Sequence, residues 1–305
     1  MLSKKIYLKI VLLLLLCISL DAEDIQTIAF AQDTLANDYR KAQVLEAQNA
    51  AQKYDYIKYV YSDANGRTSL LIKQIDDFIK QKVDAIIVGT NDANAVVPIV
   101  KKAYESGIKV IILDRGINGN SYTTFINSDN IKIGAIGAEY IAKKLNKNGK
   151  VLLFEGLQKA DVTKLRSKGF LDVMSKYKDI KVIKRTGNYL RRDAIIEMEK
   201  LLADGIKVDA IFSESDSMLS GVRSVLMRHN IDPSSIITIG CDYTSEARDA
   251  IRKGTQTGSI LFPLGGDESI EIIVKALSGK SVKKHIIIPV KLVTKENVEL
   301  EKPVF

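Results

Sequence analysis

The stretch that decides the fold is Val110-Ile111-Ile112-Leu113-Asp114-Arg115-Gly116. Its four apolar residues predict a short strand buried on both faces, and such strands belong to parallel sheets covered by helices. Ligands of open α/β sheets bind beyond the carboxyl ends of the strands, which is where Asp114 and Arg115 stand. Taken alone, these residues also fit a surface turn with a solvated ion pair. Similar polar strand ends elsewhere in the chain favour the crevice.

Strands and amphipathic helices alternate along the chain from residue 27 onward. The units before Val110 are predicted strands at 27–31, 56–62 and 85–88 and predicted helices at 38–53, 68–81 and 91–106. A second series of similar units runs from residue 123 to 294, with no Pro-rich or Ser-rich linker between the two series. This alternation produces right-handed crossovers in parallel sheets. We therefore predict an α/β protein with two lobes that share a hinge.

Composition and charge narrow the class of partner. The chain has 305 residues, 46% of them apolar and 27% charged, which is ordinary for a globular protein and comfortable for two domains. Its net charge of +8 comes from lysines scattered along the predicted helices. No basic run and no aromatic-plus-basic cluster is present, so we expect no nucleic-acid partner.

The first two dozen residues differ from the rest. Lys4, Lys5 and Lys9 lead into an apolar block at 10–20 that has the length of a secretory h-region and is short for a bilayer span. We predict that residues 1–22 form a signal peptide and that the mature protein is exported. The cleavage position stays open, since both Leu20-Asp21-Ala22 and Cys17-Ile18-Ser19 are candidates, and an uncleaved anchor is the alternative.

The residues typical of catalytic sites are absent or isolated in the sequence. Cys241 is the cysteine that remains after processing, and its apolar surroundings predict a buried, inert thiol. His229 and His285 lie far apart without metal-ligand spacing, and neither a P-loop nor a nucleophile elbow occurs. Gly134 and Gly137 lie inside a predicted helix, which indicates close helix packing rather than dinucleotide binding. We expect no enzyme, no metal and no cofactor.

Polar side chains at strand ends and helix starts could hold a polyhydroxylated molecule. Carboxylates accept hydrogen bonds from neighbouring hydroxyls, guanidinium groups donate in pairs, and a tyrosine adds a stacking face. The candidate ligand-binding residues are Gln32, Tyr39, Arg40, Asp114, Arg115, Arg166 and Asp242.

Some of these residues also have a purely structural interpretation. Arg166 can pair with Asp161 or Asp172 on its own helix, and Tyr39 can be a packing residue. Asp216 fits a helix N-cap better than a ligand contact.

Six short motifs occur in a characteristic order over nearly the whole mature chain. They are Phe30-Ala31-Gln32 with Tyr39-Arg40, Leu113-Asp114-Arg115, Asn127-Ser128-Asp129-Asn130, Arg166 to Phe170, Ser215 to Met218, and Gly240-Cys241-Asp242. In this order they resemble the ribose type of periplasmic sugar-binding proteins, and the galactofuranose-binding branch above all. Ser215 stands where that family usually has Asn, and Phe262 falls near a position that is often polar.

The resemblance implies a two-lobe type I periplasmic-binding-protein fold, each lobe a parallel sheet flanked by helices, with three hinge crossings near Asn127, 261–262 and Pro289. Lobe 1 would comprise 23–127 and 262–289, and lobe 2 would comprise 128–261 and 290–305. Ser215 joins the ligand-binding residues on this basis.

The implied function is that of a monomeric receptor that closes on one monosaccharide and delivers it to an ABC permease in the inner membrane. The alternative is a sensory coreceptor that passes its ligand state to a membrane histidine kinase or chemoreceptor. The effector-binding part of a transcriptional repressor shares this fold, but the export signal stands where a helix-turn-helix would be needed.

Overall fold

A computed structural model of the protein describes residues 24–305, so the predicted signal peptide lies outside the described residues. The described strands are β1 (Gln26–Gln32), β2 (Ile57–Asp63), β3 (Ala85–Gly89), β4 (Lys109–Leu113), β5 (Thr124–Ser128), β6 (Asn148–Glu155), β7 (Asp179–Thr186), β8 (Ala210–Ser213), β9 (Ile237–Asp242), β10 (Gly258–Leu261), β11 (His285–Ile288) and β12 (Lys291–Thr294). The described helices are α1 (Asp38–Ala51), α2 (Thr68–Lys80), α3 (Val97–Glu105), α4 (Asn130–Lys144), α5 (Asp161–Met174), α6 (Arg191–Ala203), α7 (Asp216–Arg228), α8 (Ser245–Lys253) and α9 (Gly266–Leu277). Between residues 24 and 305, no helix combines the length and the apolarity that a membrane crossing needs.

The strands form two six-stranded sheets, each covered by helices. The first has the order β11-β5-β4-β3-β1-β2 and the second the order β12-β10-β9-β8-β6-β7. All neighbours are parallel except β10 and β12, which are antiparallel. The central strand β3 is buried along its whole length, as its continuous apolar sequence predicts. The predicted α/β architecture with two parallel sheets is confirmed.

Each sheet has an apolar core on both faces. One core of the first sheet includes Leu71 of α2 and Val100 of α3, and the other includes Val44 of α1 and Ile270 of α9. The second sheet is covered in the same way by α4 and α5 on one face and by α6 and α7 on the other. We call these two units the first and second lobe.

The chain passes between the lobes three times. The crossings lie between β5 and α4, between β10 and α9, and between β11 and β12. Because all three crossings connect the same two units, each lobe is built from segments that are distant in sequence.

Most element boundaries differ from the sequence-based expectation by one or a few residues, and the largest difference is at the start of α3. Helix α3 begins at Val97 rather than at residue 91, because the Asp92 carboxylate accepts hydrogen bonds from the backbone amides of Asn94 and Ala95, both at 3.0 Å, and so forms a turn. The sequence predicts a strand over 236–239, whereas strand β9 continues to Asp242 and includes Cys241. This extension carries the Asp242 carboxylate to the edge of the cleft.

The predicted close packing of helices at Gly134 is confirmed. A Cβ atom at this position of α4 would lie 2.0 Å from the Arg166 carbonyl oxygen and 2.7 Å from the Phe170 amide nitrogen of α5. Only a glycine permits this backbone approach. The contact fixes α5, and with it Arg166, against the second lobe.

Candidate functional site

The carboxyl ends of strands from both sheets face one another across a narrow cavity between them. The residues that line it are Asn37, Tyr39, Arg40, Asp114, Arg115, Val162, Arg166, Tyr189, Ser215, Asp242 and Phe262. Most of them follow a strand or begin a helix, as expected for the crevice of an open α/β sheet.

Seven of the eight predicted ligand-binding residues line this cavity, and Gln32 does not. The Gln32 side chain is fully buried and its Oε1 accepts a hydrogen bond from the Asp33 amide at 3.0 Å. Its amide nitrogen lies 3.5 Å from the Arg40 carbonyl oxygen. The structure therefore places Gln32 behind Arg40, where it supports the start of α1.

The first lobe contributes a compact cluster of four charged side chains. Nη2 of Arg40 lies 3.2 Å from Oδ2 of Asp114, and Nη1 of Arg115 donates to Oδ2 of Asp33 at 3.1 Å. Arg40 is only 1% exposed. Burial works against its charge, but Asp33 and Asp114 more than offset that effect and raise the pKa of Arg40. Both guanidinium groups are thus oriented by carboxylates of their own lobe.

Two of these guanidinium nitrogens lack a hydrogen-bond acceptor. Nη2 of Arg40 and Nε of Arg115 are buried and make no hydrogen bond with any of the described residues 24–305. Unpaired buried donors are costly. Nε of Arg115 therefore has no acceptor among these residues, whereas Nη2 of Arg40 keeps its ion-pair contact with Asp114.

The two carboxylates of the cavity occupy unusual backbone conformations. Asp114 has φ = 65° and Asp242 has φ = 103°, in the left-handed region that residues other than glycine seldom adopt. Such strain is concentrated at functional sites, where the surrounding structure enforces it. For Asp242, the enforcing group is the Asp216 carboxylate, which accepts hydrogen bonds from the Tyr243 amide at 2.8 Å and the Ser259 hydroxyl at 2.6 Å. Burial, followed by the Asp216 charge, raises the pKa of Asp242 well above its usual range.

Arg166 is the principal charged group from the second lobe. Its Nε donates to Oδ1 of Asn130 at 2.7 Å and its Nη1 to the Glu214 carbonyl oxygen at 2.8 Å, while the guanidinium lies 4.6 Å from the centre of the Phe262 ring. The interpretation that Arg166 pairs with Asp161 or Asp172 is wrong, because Asp161 accepts from the Gly116 amide instead. A guanidinium held by neutral acceptors and an aromatic face is free to bind further oxygens.

Ser215, and not Asp216, is the N-cap of α7, since its hydroxyl accepts from the Met218 amide at 3.2 Å. The N-cap interpretation of Asp216 is therefore wrong by one residue. Ser215 reaches the cavity from this cap position.

Aromatic rings form the remaining walls. The Tyr39 hydroxyl donates to the Pro263 carbonyl oxygen at 2.9 Å, and its ring lies 5.2 Å from that of Phe262, in the crossing between β10 and α9. The Arg115 guanidinium lies 5.5 Å from the centre of the Tyr189 ring. Burial raises the pKa of both tyrosines, so each keeps its proton.

The sequence-based set omitted Asn37, Val162, Tyr189 and Phe262 as ligand contacts. Asn37 caps α1 through Oδ1 and donates from Nδ2 to the Tyr189 carbonyl oxygen at 2.9 Å. An Asn directly before a helix is a recognisable cap, so this residue had a sequence signal. Tyr189 follows β7 as the other polar residues follow their strands, whereas nothing local marks Val162.

Three direct hydrogen bonds join the lobes. They are Asn37 to Tyr189, the Ser217 hydroxyl to Oδ2 of Asp38 at 2.8 Å, and the Gly116 amide to Oδ2 of Asp161 at 2.8 Å. The structure therefore has the lobes closed over the cavity.

Two further observations concern metal binding and nucleophilic chemistry. Across the described residues, no three His, Cys, Asp or Glu side chains are grouped so as to hold a metal ion. Cys241 is buried as predicted, and burial raises the pKa of its thiol. A protonated, enclosed thiol is a poor nucleophile.

Comparisons with known proteins agree with this geometry. A family model described as a periplasmic binding protein domain matches residues 28–281. The ribose import binding protein of Bacillus subtilis is 30% identical over 272 residues, which cover 88% of each chain.

Two solved structures have the same fold. An ABC transporter solute-binding protein from Bacillus halodurans with bound myo-inositol is 27% identical and has a TM-score of 0.86, covering 91% of this chain and 97% of that one. The fructose-binding periplasmic domain of a hybrid two-component system is 26% identical with a TM-score of 0.84, covering 90% and 92%. These relatives are named as binding proteins rather than as enzymes. The chain belongs to the periplasmic binding protein family, as its resemblance to the ribose type predicted.

Proposed function

We propose that this protein is an exported, monomeric solute receptor that closes on one small, uncharged polyhydroxylated molecule, a monosaccharide or a cyclic polyol, and presents it to an ABC importer. Lobe 1 comprises residues 23–127 and 262–289, and lobe 2 comprises 128–261 and 290–305. The ligand-binding residues are those of the cavity wall.

The observation that carries this proposal is the convergence of charged side chains from both lobes on one enclosed cavity. Arg40, Asp114 and Arg115 enter it from the first lobe, and Arg166 and Asp242 from the second. A sugar hydroxyl both donates and accepts, so it can bond carboxylates and guanidinium groups at once. A ligand that bonds both lobes stabilises the closed form in preference to the open form.

The pairing of charges favours a neutral ligand. Arg40 and Arg115 already have Asp33 and Asp114 as partners, and Arg166 faces Asp242. An anionic ligand would place a further negative charge beside Asp114, and an uncompensated buried charge is costly.

The test is a thermal-shift and calorimetry panel on the purified protein. The panel contains D-ribose, D-galactose, L-arabinose, D-fructose, myo-inositol and the matching sugar acids. A ligand at 100 times its Kd adds about 2.7 kcal/mol to the free energy of unfolding. For a protein of this size that corresponds to an increase in melting temperature of roughly 5–10 °C.

Matched variants test the cavity itself. Asp114→Ala and Asp242→Ala are each expected to abolish the ligand-induced shift while the unliganded protein stays folded. Asp249→Ala removes an exposed carboxylate from α8 and serves as the control. A folded wild-type protein that responds to no neutral compound, or cavity variants that bind like the control, would refute the proposal.

The likeness to a two-component sensor domain supports one alternative, a receptor that signals to a membrane kinase. The same cavity would serve both roles. Reconstitution decides between them: ligand-dependent stimulation of a partner permease ATPase supports import, whereas stimulation of a kinase supports sensing.

A further inference from the structure

A pair of buried carboxyl groups lies directly behind the second-lobe wall of the cavity. Glu155 ends β6 and is 7% exposed, whereas Glu214 follows β8 and is fully buried. The Ser167 hydroxyl of α5 lies between them, 2.8 Å from Oε1 of Glu155 and 2.9 Å from Oε1 of Glu214. Both distances are those of strong hydrogen bonds.

A serine hydroxyl has one proton and can donate only once. If both carboxyl groups were ionised, one of these two short contacts would oppose lone pairs on both oxygens. The geometry is satisfied when one carboxyl group is protonated, so that it donates to Ser167 and Ser167 donates to the other carboxylate.

The surroundings decide which group holds the proton. Glu155 has a cationic partner, because the Lys184 ammonium donates to its Oε1 at 3.0 Å. Glu214 receives only neutral donors at its carboxyl group, namely the Gly156 amide at 2.9 Å and the Tyr189 hydroxyl at 3.2 Å. An ionised group without a cationic partner is the more costly one to bury.

We propose that Glu214 holds a proton in the folded protein and acts through the chain Glu214, Ser167, Glu155 and Lys184 as a positioning residue for the cavity wall. Only the effect of Glu214 on ligand affinity rests on the proposed ligand-binding function; its protonation does not. The Glu214 carbonyl oxygen accepts from Arg166 and its Oε2 contacts the Tyr189 hydroxyl, so one residue supports two side chains of the cavity.

Charged and titratable groups on the surrounding elements affect the protonation of Glu214. Glu155 on β6 disfavours a second negative charge, whereas Lys184 on β7 is already paired with Glu155. Arg166 on α5 favours the ionised form, and Tyr189 and the Cys241 thiol of β9 are neutral neighbours. The balance is set by burial, which raises the pKa of Glu214 to about 7.

The sign of the pH effect follows from linkage. Between its ordinary pKa near 4.5 and a folded value near 7, Glu214 binds a proton in the folded state and not in the unfolded state. The free energy of unfolding therefore falls as the pH rises through this window and levels off above it. Glu214→Gln keeps the shape of the protonated group and removes the titration.

The experiment compares wild type, Glu214→Gln and Glu155→Gln by urea denaturation without ligand from pH 5 to pH 9. We expect Glu214→Gln to match wild type near pH 5 and to be more stable above pH 7, with the wild-type decline between pH 5 and 7 reduced. Glu155→Gln should be less stable at every pH and should keep the decline. Infrared difference spectra between pH 6 and pH 8 should show the loss of a protonated carboxyl band in wild type, and this change should be smaller by one carboxyl group in Glu214→Gln.

Ligand binding provides the second measurement, with D-ribose and myo-inositol as probes. Glu214→Gln should bind within about twofold of wild type at pH 6, and wild type should lose affinity above pH 7 by at most about tenfold per pH unit, the limit for one proton. Any of three outcomes would overturn the proposal. The denaturation profiles of wild type and Glu214→Gln could coincide across the pH range, Glu214→Gln could fail to fold, or it could bind more than tenfold weaker than wild type at pH 6. If neither probe binds wild type, the receptor function is in question while the denaturation series still decides the proton.

Discussion

Replacing Gly134 with Ala should damage both stability and binding, because this glycine sets the distance between α4 and α5. A Cβ atom there would lie 2.0 Å from the Arg166 carbonyl oxygen, and ordinary contact begins at 3.4 Å. The helices would have to separate by about 1.4 Å, the difference between these two distances. Arg166 on α5 bonds Asn130 on α4 at 2.7 Å, and this bond would be lost.

The magnitude follows from three contributions. Overpacking costs about 1–3 kcal/mol, and loss of a hydrogen bond to a charged group costs about 1.5–3 kcal/mol. The better helix propensity of Ala returns about 1 kcal/mol. A net loss of about 1.5–5 kcal/mol lowers the melting temperature by roughly 3–9 °C in a protein of this size.

The assay is thermal unfolding with and without ligand, followed by titration calorimetry. Gly169→Ala tests the same crossing from the other helix, since its Cβ atom would lie 2.0 Å from the Ile131 carbonyl oxygen. Glu139→Ala, an exposed change on α4, is the control and should fall within about 0.5 kcal/mol of wild type. If Gly134→Ala melts and binds like this control, the inferred role of the crossing in holding Arg166 is wrong.

Three further outcomes are expected. Asp161→Ala removes the acceptor for the Gly116 amide across the lobes. Loss of a net hydrogen bond of about 0.5–1.5 kcal/mol should raise the ligand Kd by about 2- to 13-fold, without changing the order of preferred ligands. Asp172→Ala on the same helix is the control, and equal Kd values for the two variants would contradict the prediction. Cys241 should resist iodoacetamide at pH 8 in the folded protein and react after denaturation, as mass spectrometry can measure; rapid labelling of the native protein would refute its burial. The pKa of Glu214 rises from 4.5 to about 7 on folding. Its titration should therefore lower the free energy of unfolding by about 3 kcal/mol between pH 4.5 and 7. A denaturation profile that is flat over that range would contradict this.

The sequence predicts the fold better than it predicts the contacts of the site. An apolar run such as Val110 to Leu113 is by itself sufficient to predict a buried strand, because a short, wholly apolar strand is stable only inside a covered sheet. Strand ends are equally predictable, which is why Asp114, Arg115 and Asp242 were found. Gln32 fits the same rule, yet its side chain turns inward beneath Arg40. The direction of a side chain after a strand depends on the backbone angles of the turn, and sequence alone does not give these.

Long-range partners were the least predictable part. Arg166 has two acidic residues within reach on its own helix, and helical spacing favoured those pairs. Its actual partners are Asn130 and the Glu214 carbonyl oxygen, which are 36 and 48 residues away along the chain. Only the packing of α4 against α5 brings them together. The same holds for Glu155 and Glu214, which come together at the ends of the paired strands β6 and β8 with Ser167 between them.

The distribution of charge pairs between the lobes bears on how the cleft can open. Arg40 and Arg115 pair with carboxylates of the first lobe, and Arg166 is held by acceptors of the second lobe. Opening therefore separates no guanidinium from its carboxylate or hydrogen-bonding partner, and the large cost of breaking a buried ion pair does not oppose it. What holds the closed form without ligand is a few neutral or singly charged hydrogen bonds and the Arg115 to Tyr189 stacking contact. A ligand that supplies acceptors to one lobe and donors to the other adds bonds of comparable or greater strength, so a single small molecule is sufficient to shift the equilibrium to the closed state.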